Sequence, residues 1–262
     1  MSRLSVNNRP VDFIASGTGE PLILLHGGQS DHHQFDGFRL LLGNDISAIA
    51  YDQRDSPELP YEDGDYGMRD HADDCAAFIK AMGLGRAHLM GTSYGGAVAM
   101  MTAIHHPELV NSLILAATTP SWSMFEPRVL QGAASRDAAA TERFMLEALI
   151  TPDAIDNDPA LVAEIRGGLC PRKPEVLERR MAAIAAHECR DDLGRIRAPT
   201  LVLHGDEDPL ISPQTATWMA QHIPGAELRL LSGSRHGLTV QHRERTADLT
   251  RAFVLAHSRT AL

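Results

Sequence analysis

The chain has 262 residues, 44% of them hydrophobic: enough to bury one large core and a pocket, with no apolar run of about 18 residues that would span a membrane. Its 24 basic residues stand against 34 acidic ones, and the formal net charge of −10 lacks the electrostatic footprint of a nucleic-acid binder and serves solubility. Three cysteines, Cys75, Cys170 and Cys189, are odd in number, fit no metal-ligand spacing and are expected as structural thiols.

In chain order, Met1-Ser2-Arg3-Leu4-Ser5 is polar and lacks the apolar stretch of a leader, so a cytoplasmic location is the expectation. Arg3 to Ser16 reads as two short strands around an Asn7-Asn8 turn. Leu22-Ile23-Leu24-Leu25 is a continuous apolar run, the pattern of a strand buried on both faces, and it ends in His26-Gly27-Gly28. Ile46 to Asp52 is a further strand. Ala72, Cys75, Ala76, Ile79 and Met82 recur at helical spacing, predicting a helix over Arg69 to Met82 closed by Gly83 and Gly85. Ala87-His88-Leu89-Met90 is a strand that runs into Gly91-Thr92-Ser93-Tyr94-Gly95-Gly96, and a helix follows from Ala97 to His106, stopped by Pro107.

Leu113 to Ala116, Thr200 to His204 and Leu228 to Leu231 complete the strands, and a last helix is predicted from Leu238 to His257. Between Pro120 and Ala198 the strand rhythm stops. Phe144, Met145, Leu149 and Ile150 fit one short helix, Leu161, Val162 and Ile165 another, Leu177, Met181 and Ile184 a third, with Pro127, Pro152, Pro159, Pro171 and Pro174 between them. The alternation predicts an α/β fold: a mostly parallel sheet with helices on both faces, plus a helical insertion that would cap a pocket. The expected division is a core of 1–120 and 199–262 with a cap of 121–198.

Gly91-x-Ser93-x-Gly95 carries the first chemical signal, because it lies between a strand and a helix. A sharp strand-to-helix turn lifts the serine to the sheet's carboxyl edge, and glycines on both sides relieve the crowding. A serine hydroxyl needs a base. Of the chain's 13 histidines, His236 sits in a loop after the last predicted strand, at the same edge. The imidazole in turn needs an acceptor to fix its tautomer. The loop after Leu203-His204 offers Asp206, Glu207 and Asp208; Asp208, next to Pro209, is the first candidate and Asp206 the second. Thr118-Thr119-Pro120, after the preceding strand, supplies no carboxylate. The order serine, aspartate, histidine is that of one hydrolase fold and not that of the two familiar protease folds.

These residues, with His26-Gly27-Gly28, Asp52-Gln53-Arg54, Gly205-Asp206-Glu207-Asp208 and His236-Gly237, resemble the α/β-hydrolase superfamily over essentially the whole chain. The resemblance implies an eight-stranded type of sheet and favours Asp208 as the acid. It also implies an oxyanion hole from the backbone N–H groups of Tyr94 and Gly28, with Gln29 as the alternative to Gly28. His26 is expected to be structural. Two departures stand out: Asp55-Ser56-Pro57-Glu58 replaces a glycine-containing run, so that loop is expected to take another path and shape a different pocket wall, and Arg235 precedes the histidine where relatives often place glycine. Arg235, Gln29, Trp122 and Phe125 are candidate substrate contacts, with Met124 beside the aromatics. Asp31-His32-His33 has no third ligand and is expected to line the pocket or start a helix, not hold a metal.

The resemblance implies a cofactor-free serine hydrolase acting on a small carboxylic ester or lactone, macrocyclic lactones included, through an acyl-enzyme on Ser93. Carbon–carbon bond hydrolysis, or lyase or oxygenase chemistry with His236 and Asp208 as the base, is the alternative. A noncatalytic receptor on the same scaffold is a third class, disfavoured by the complete set of three side chains. No nucleic-acid or membrane partner is expected, and the oligomeric state is a monomer or small homo-oligomer.

Overall fold

The computed structural model describes residues 1–56, 64–126, 138–170 and 172–258. Eight strands form one sheet: β1 (Ser2–Val6), β2 (Arg9–Ser16), β3 (Glu20–Leu25), β4 (Ile46–Tyr51), β5 (Ala87–Thr92), β6 (Val110–Ala116), β7 (Thr200–Gly205) and β8 (Glu227–Leu231). Their order is β1-β2-β4-β3-β5-β6-β7-β8. β1 pairs with β2, and β2 with β4, in antiparallel fashion, and the remaining pairs are parallel. Asn7 and Asn8 both have positive φ, 49° and 63°, which lets two residues turn the first hairpin with the twist its strands need.

The continuous apolar runs mean what the sequence predicts. Leu22 and Leu24 face a core layer with Phe38 and Val254, while Ile23 and Leu25 face the other layer with Phe78 and Val98. Helix α1 (Asp36–Leu41), helix α2 (Met68–Ala81) and helix α3 (Tyr94–His105) follow in chain order, and Phe38, Phe78 and Val98 project from them. Cys75 and Cys189 are buried and Cys170 is half-buried, its Sγ donating to Asp31 Oδ2 at 3.0 Å.

Among the described residues four α-helices lie between β6 and β7: α4 (Ala138–Leu149), α5 (Pro152–Asn157), α6 (Pro159–Gly168) and α7 (Pro174–Ala185). Leu146, Ile150, Val162 and Ile165 give them a small core of their own. Helix α8 (Pro213–His222) follows β7 and was not expected from the apolar spacing. The predicted last helix is two, α9 (Leu238–Gln241) and α10 (Arg243–Ala256), broken at His242, whose Nε2 reaches the Gly233 carbonyl at 3.1 Å. Pro57, Glu58, Pro127 and Pro171 lie outside the described residues. Among the described residues no helix is long and apolar enough to cross a membrane.

Register places the site. Leu25 pairs with Gly91, Gly91 with Leu115, Ala116 with Leu203, and Gly205 with Leu231. The carboxyl ends of β3, β5, β7 and β8 therefore end along one edge, where ligands bind in open parallel sheets.

Candidate active site

Ser93 sits between β5 and α3 with φ 52° and ψ −117°, a conformation that L residues rarely adopt. Its backbone is held on both sides: its N–H donates to Ala116 O at 3.0 Å, and its carbonyl accepts from Gly96 N–H at 2.9 Å and Thr118 Oγ1 at 2.7 Å. The flanking glycines are required by space. A Cβ on Gly91 would stand 2.1 Å from the Gly95 carbonyl oxygen, and one on Gly95 would stand 2.1 Å from Leu25 O. Helix α3 starts at Tyr94, earlier than the expected Ala97, so its first-turn amides point toward the serine.

His236 is buried, and its Nδ1 lies 2.7 Å from Asp208 Oδ2. Asp208 Oδ1 accepts from the N–H groups of Leu210 at 2.8 Å and Ile211 at 3.1 Å. Burial pushes the Asp208 carboxyl up, but the charge and hydrogen bond of His236, helped by His204 and the Leu210 amide, outweigh it and hold it below its ordinary value. The carboxylate therefore accepts from Nδ1–H, which leaves the Nε2 lone pair free. His204 Nε2, 3.4 Å from Asp208 Oδ2, bonds the Ile211 carbonyl at 2.9 Å instead; burial lowers its pKa, so the contact is dipolar. Asp206, the second candidate, is exposed and accepts from Gly233 N–H at 2.8 Å. Asp208, not Asp206, meets the imidazole.

Gly27 and Gly28 lie against the serine turn: a Cβ on Gly27 would be 3.9 Å from Ser93 Cβ, and one on Gly28 would be 3.7 Å from Tyr94 Cβ. Gln34 ties the two loops together. Its Oε1 accepts from Gly27 N–H and its Nε2 donates to Thr92 Oγ1, both at 2.8 Å. Nothing in the sequence marks this residue. His26 is fully buried; its Nδ1 contacts Gly27 O at 2.9 Å and its Nε2 accepts from Gln53 N–H at 3.2 Å. Burial, reinforced by Arg180 and Arg172, drives its pKa far down, so it is a neutral loop brace.

A cavity of about 350 Å³ opens between this edge and the helices that precede β7. Ser93, His236, Gly28, Gln29 and Tyr94 line it, as do Trp122 and Phe125, whose rings lie 4.9 Å apart. Met124 is not among the lining residues. Apolar side chains such as Phe144, Leu149, Leu177 and Met181 make most of the wall, and among the described residues no arginine or lysine contributes.

Arg235 corrects an expectation. It is not in the cavity wall; its guanidinium donates to the Glu147 carbonyl in the last turn of α4. The next two residues do likewise, His236 N–H to Ala148 O at 3.1 Å and Gly237 N–H to Leu149 O at 2.8 Å. Residues 235–237 thus satisfy three carbonyls that α4 leaves open at its C-terminus. A Cβ on Gly237 would come within 2.5 Å of Leu149 O. Asp55, with a positive φ of 58°, does not line this cavity but lines, with Asp52, Gln53 and Arg54, a second one of about 220 Å³; residues 57–63 lie outside the described residues. His33 does line it, while buried His32 bonds Asp52 Oδ1 at 3.0 Å. No group of three His, Cys, Asp or Glu side chains among the described residues could hold a metal.

Residues 22–249 match a family model described as "Alpha/beta hydrolase family". The chain is 24% identical over 255 residues to a 2-hydroxymuconate semialdehyde hydrolase of Pseudomonas putida, covering 91% of this chain and 88% of that one. It is 28% identical over 245 residues to a pimeloyl-[acyl-carrier protein] methyl ester esterase of Nitrosospira multiformis, covering 84% and 89%. The fold superimposes on a thermophilic esterase from Thermogutta terrifontis with a TM-score of 0.86 at 24% identity, covering 98% of both chains.

Proposed function

Because this chain belongs to the alpha/beta hydrolase family, we propose that it is a serine hydrolase that cleaves an uncharged carboxylic ester or lactone through an acyl-enzyme on Ser93. The observation that carries the reading is that His236, hydrogen-bonded to buried Asp208, lines one cavity with a serine on a strained turn. His236 Nε2 takes the Ser93 proton as Oγ attacks the acyl carbonyl. The N–H groups of Gly28 and Tyr94 receive the oxyanion, with Gln29 as the alternative donor to Gly28. His236 then protonates the leaving alcohol, and the Ser93 ester remains. Water, deprotonated by the same imidazole, attacks that ester; the acid leaves and the proton returns to Ser93. No cofactor enters these steps. The segment 121–198 acts as a lid over the acyl group, with Trp122 and Phe125 as its inner wall, and the substrate is a free small molecule.

The wall selects against charge. It is predominantly apolar and includes Glu164, so a substrate carboxylate entering it would lose hydration and find no cation among the described lining residues. Neutral straight-chain acyl esters are expected to exceed carboxylate-ended acyl esters of equal length by about 100-fold in kcat/KM. Paired kinetics on the two series measure this, and equal rates would sink the charge selection. Carbon–carbon bond hydrolysis by the same residues is the second reading, favoured by the likeness to 2-hydroxymuconate semialdehyde hydrolase. Turnover of a carbon–carbon substrate with no turnover of any ester or lactone would put it first.

A further inference from the structure

Arg180, on α7, has a relative exposure of 1%. Its Nε donates to Gly28 O at 3.2 Å, its Nη1 donates to Arg54 O at 2.5 Å, and its guanidinium carbon lies 4.4 Å from the centre of the Tyr94 ring. Its Nη2 is buried with no hydrogen-bond partner among the described residues. A buried guanidinium answered by carbonyl dipoles and a ring face is an expensive way to fill space; a methionine or leucine would pack there without the desolvation. Two of its contacts fall on the residues that would supply the oxyanion donors, and Arg180 is not itself among the residues that line the cavity.

The chemistry of those contacts is specific. The Gly28 carbonyl belongs to the same peptide as the Gln29 N–H. A hydrogen bond to that oxygen fixes the plane of the peptide after Gly28 and polarises the Gln29 N–H. The Tyr94 ring is held at its face by Arg180 and at its hydroxyl by His71, whose Nε2 lies 2.8 Å away. Burial, with Arg180 and Arg54 adding to it, keeps His71 neutral, so it accepts from the Tyr94 O–H. A fixed ring fixes the first residue of α3 and the direction of its N–H.

We propose that Arg180 is a positioning residue that holds the Gly28–Gln29 peptide, and with it the Gln29 N–H, together with Tyr94 in the alignment the oxyanion hole needs. The proposal rests on the serine-hydrolase reading above. The divergent loop fits the same design. Asp55 accepts from Arg179 at 3.1 and 3.2 Å and from Tyr66 O–H at 2.7 Å, and Arg172 bonds the Asp55 and Ser30 carbonyls at 2.9 and 2.7 Å. These clamps seat α7 without Arg180, so fastening the helix and aligning the donors are separable.

The test compares Arg180→Met, Arg180→Lys and Arg179→Met in the full chain. It uses steady-state kinetics on p-nitrophenyl butyrate, the Ki of a trifluoromethyl ketone that forms a tetrahedral adduct, and thermal melting. Arg180→Met is expected to lower kcat by about 10–100-fold with KM within about threefold, and to weaken the ketone by the same factor as kcat/KM. Arg180→Lys keeps the charge but has a single donor nitrogen that cannot span both carbonyls, and is expected between Met and wild type. Arg179→Met should lower the melting temperature and leave kcat near wild type. A folded Arg180→Met with wild-type kcat and ketone affinity overturns the proposal, as does a loss confined to melting temperature or KM. If Arg180→Met does not fold, a folded Arg180→Lys decides: wild-type kcat and Ki overturn the proposal, and a fall in both supports it. Wild-type protein that takes no fluorophosphonate on Ser93 sinks the underlying reading instead; a labelled wild type with an unaffected Arg180→Met sinks this proposal alone.

Discussion

Replacing Ser93 by alanine is expected to lower ester turnover by roughly 10⁴–10⁶-fold while the fold and melting temperature stay close to wild type. The expectation of an intact fold follows from what holds this residue. Its N–H is taken by Ala116, its carbonyl by Gly96 and Thr118, and none of these bonds uses Oγ. Alanine at φ 52° carries the same backbone strain as serine, so the turn loses only its hydroxyl. Residual rate would come from oxyanion stabilisation and from holding substrate against the wall. The double variant Ser93→Ala/His236→Ala should be no slower than Ser93→Ala alone, because side chains that act as one unit are not additive. Independent multiplicative losses would mean that the two residues do not share one step.

Acid is expected to destabilise this protein well above the carboxylate range. Burial lowers the pKa of His88 and of His187 to about 4, carries His26 and His71 well below the ordinary value of 6.5, and lowers that of His204. The unfolded chain titrates its histidines near 6.5. Between about pH 4 and 6.5 the unfolded state therefore binds more protons, so the contribution is complete above 6.5 and is lost as pH falls through that window. His32 runs the other way. Its hydrogen bond to Asp52 raises its pKa against burial, so its smaller contribution is present at low pH and fades as pH rises past the folded value. His88 and His187 alone should cost about 1–2 kcal/mol each between pH 7 and pH 5. Urea midpoints at pH 5, 6, 7 and 8 measure this, and a flat profile would contradict it. His88→Gln, which can still bond Ser112 Oγ, now 2.7 Å from Nδ1, should flatten the profile.

The sheet was legible because parallel strands buried on both faces leave unbroken apolar runs such as Leu22 to Leu25. The serine turn was legible because glycine has a steric reason at positions 91 and 95. The start of α3 was misplaced because Gly95 and Gly96 read as a turn, yet they are helical glycines packed against Leu25 O and the Thr118 side chain. Helix α8 has a Ser212 cap and Pro213 at its first position, a start signal that the sparse apolar spacing obscured. Other features depend on partners far away in the chain. The partner of Arg235 is a carbonyl 88 residues away, and that of Arg180 is Gly28, 152 residues away. The Asp55 carboxylate, on a left-handed backbone, finds its cationic partner in Arg179 on α7, 124 residues away.

Fluorophosphonate labelling followed by mass spectrometric mapping of the adduct tests the central claim most directly. The predicted result is a single adduct on Ser93, formed in the wild type and abolished by His236→Ala. Folded wild-type protein that hydrolyses esters yet carries no adduct on Ser93, or carries it elsewhere, would contradict the acyl-enzyme and move His236 and Asp208 to the role of a base acting directly on substrate or water.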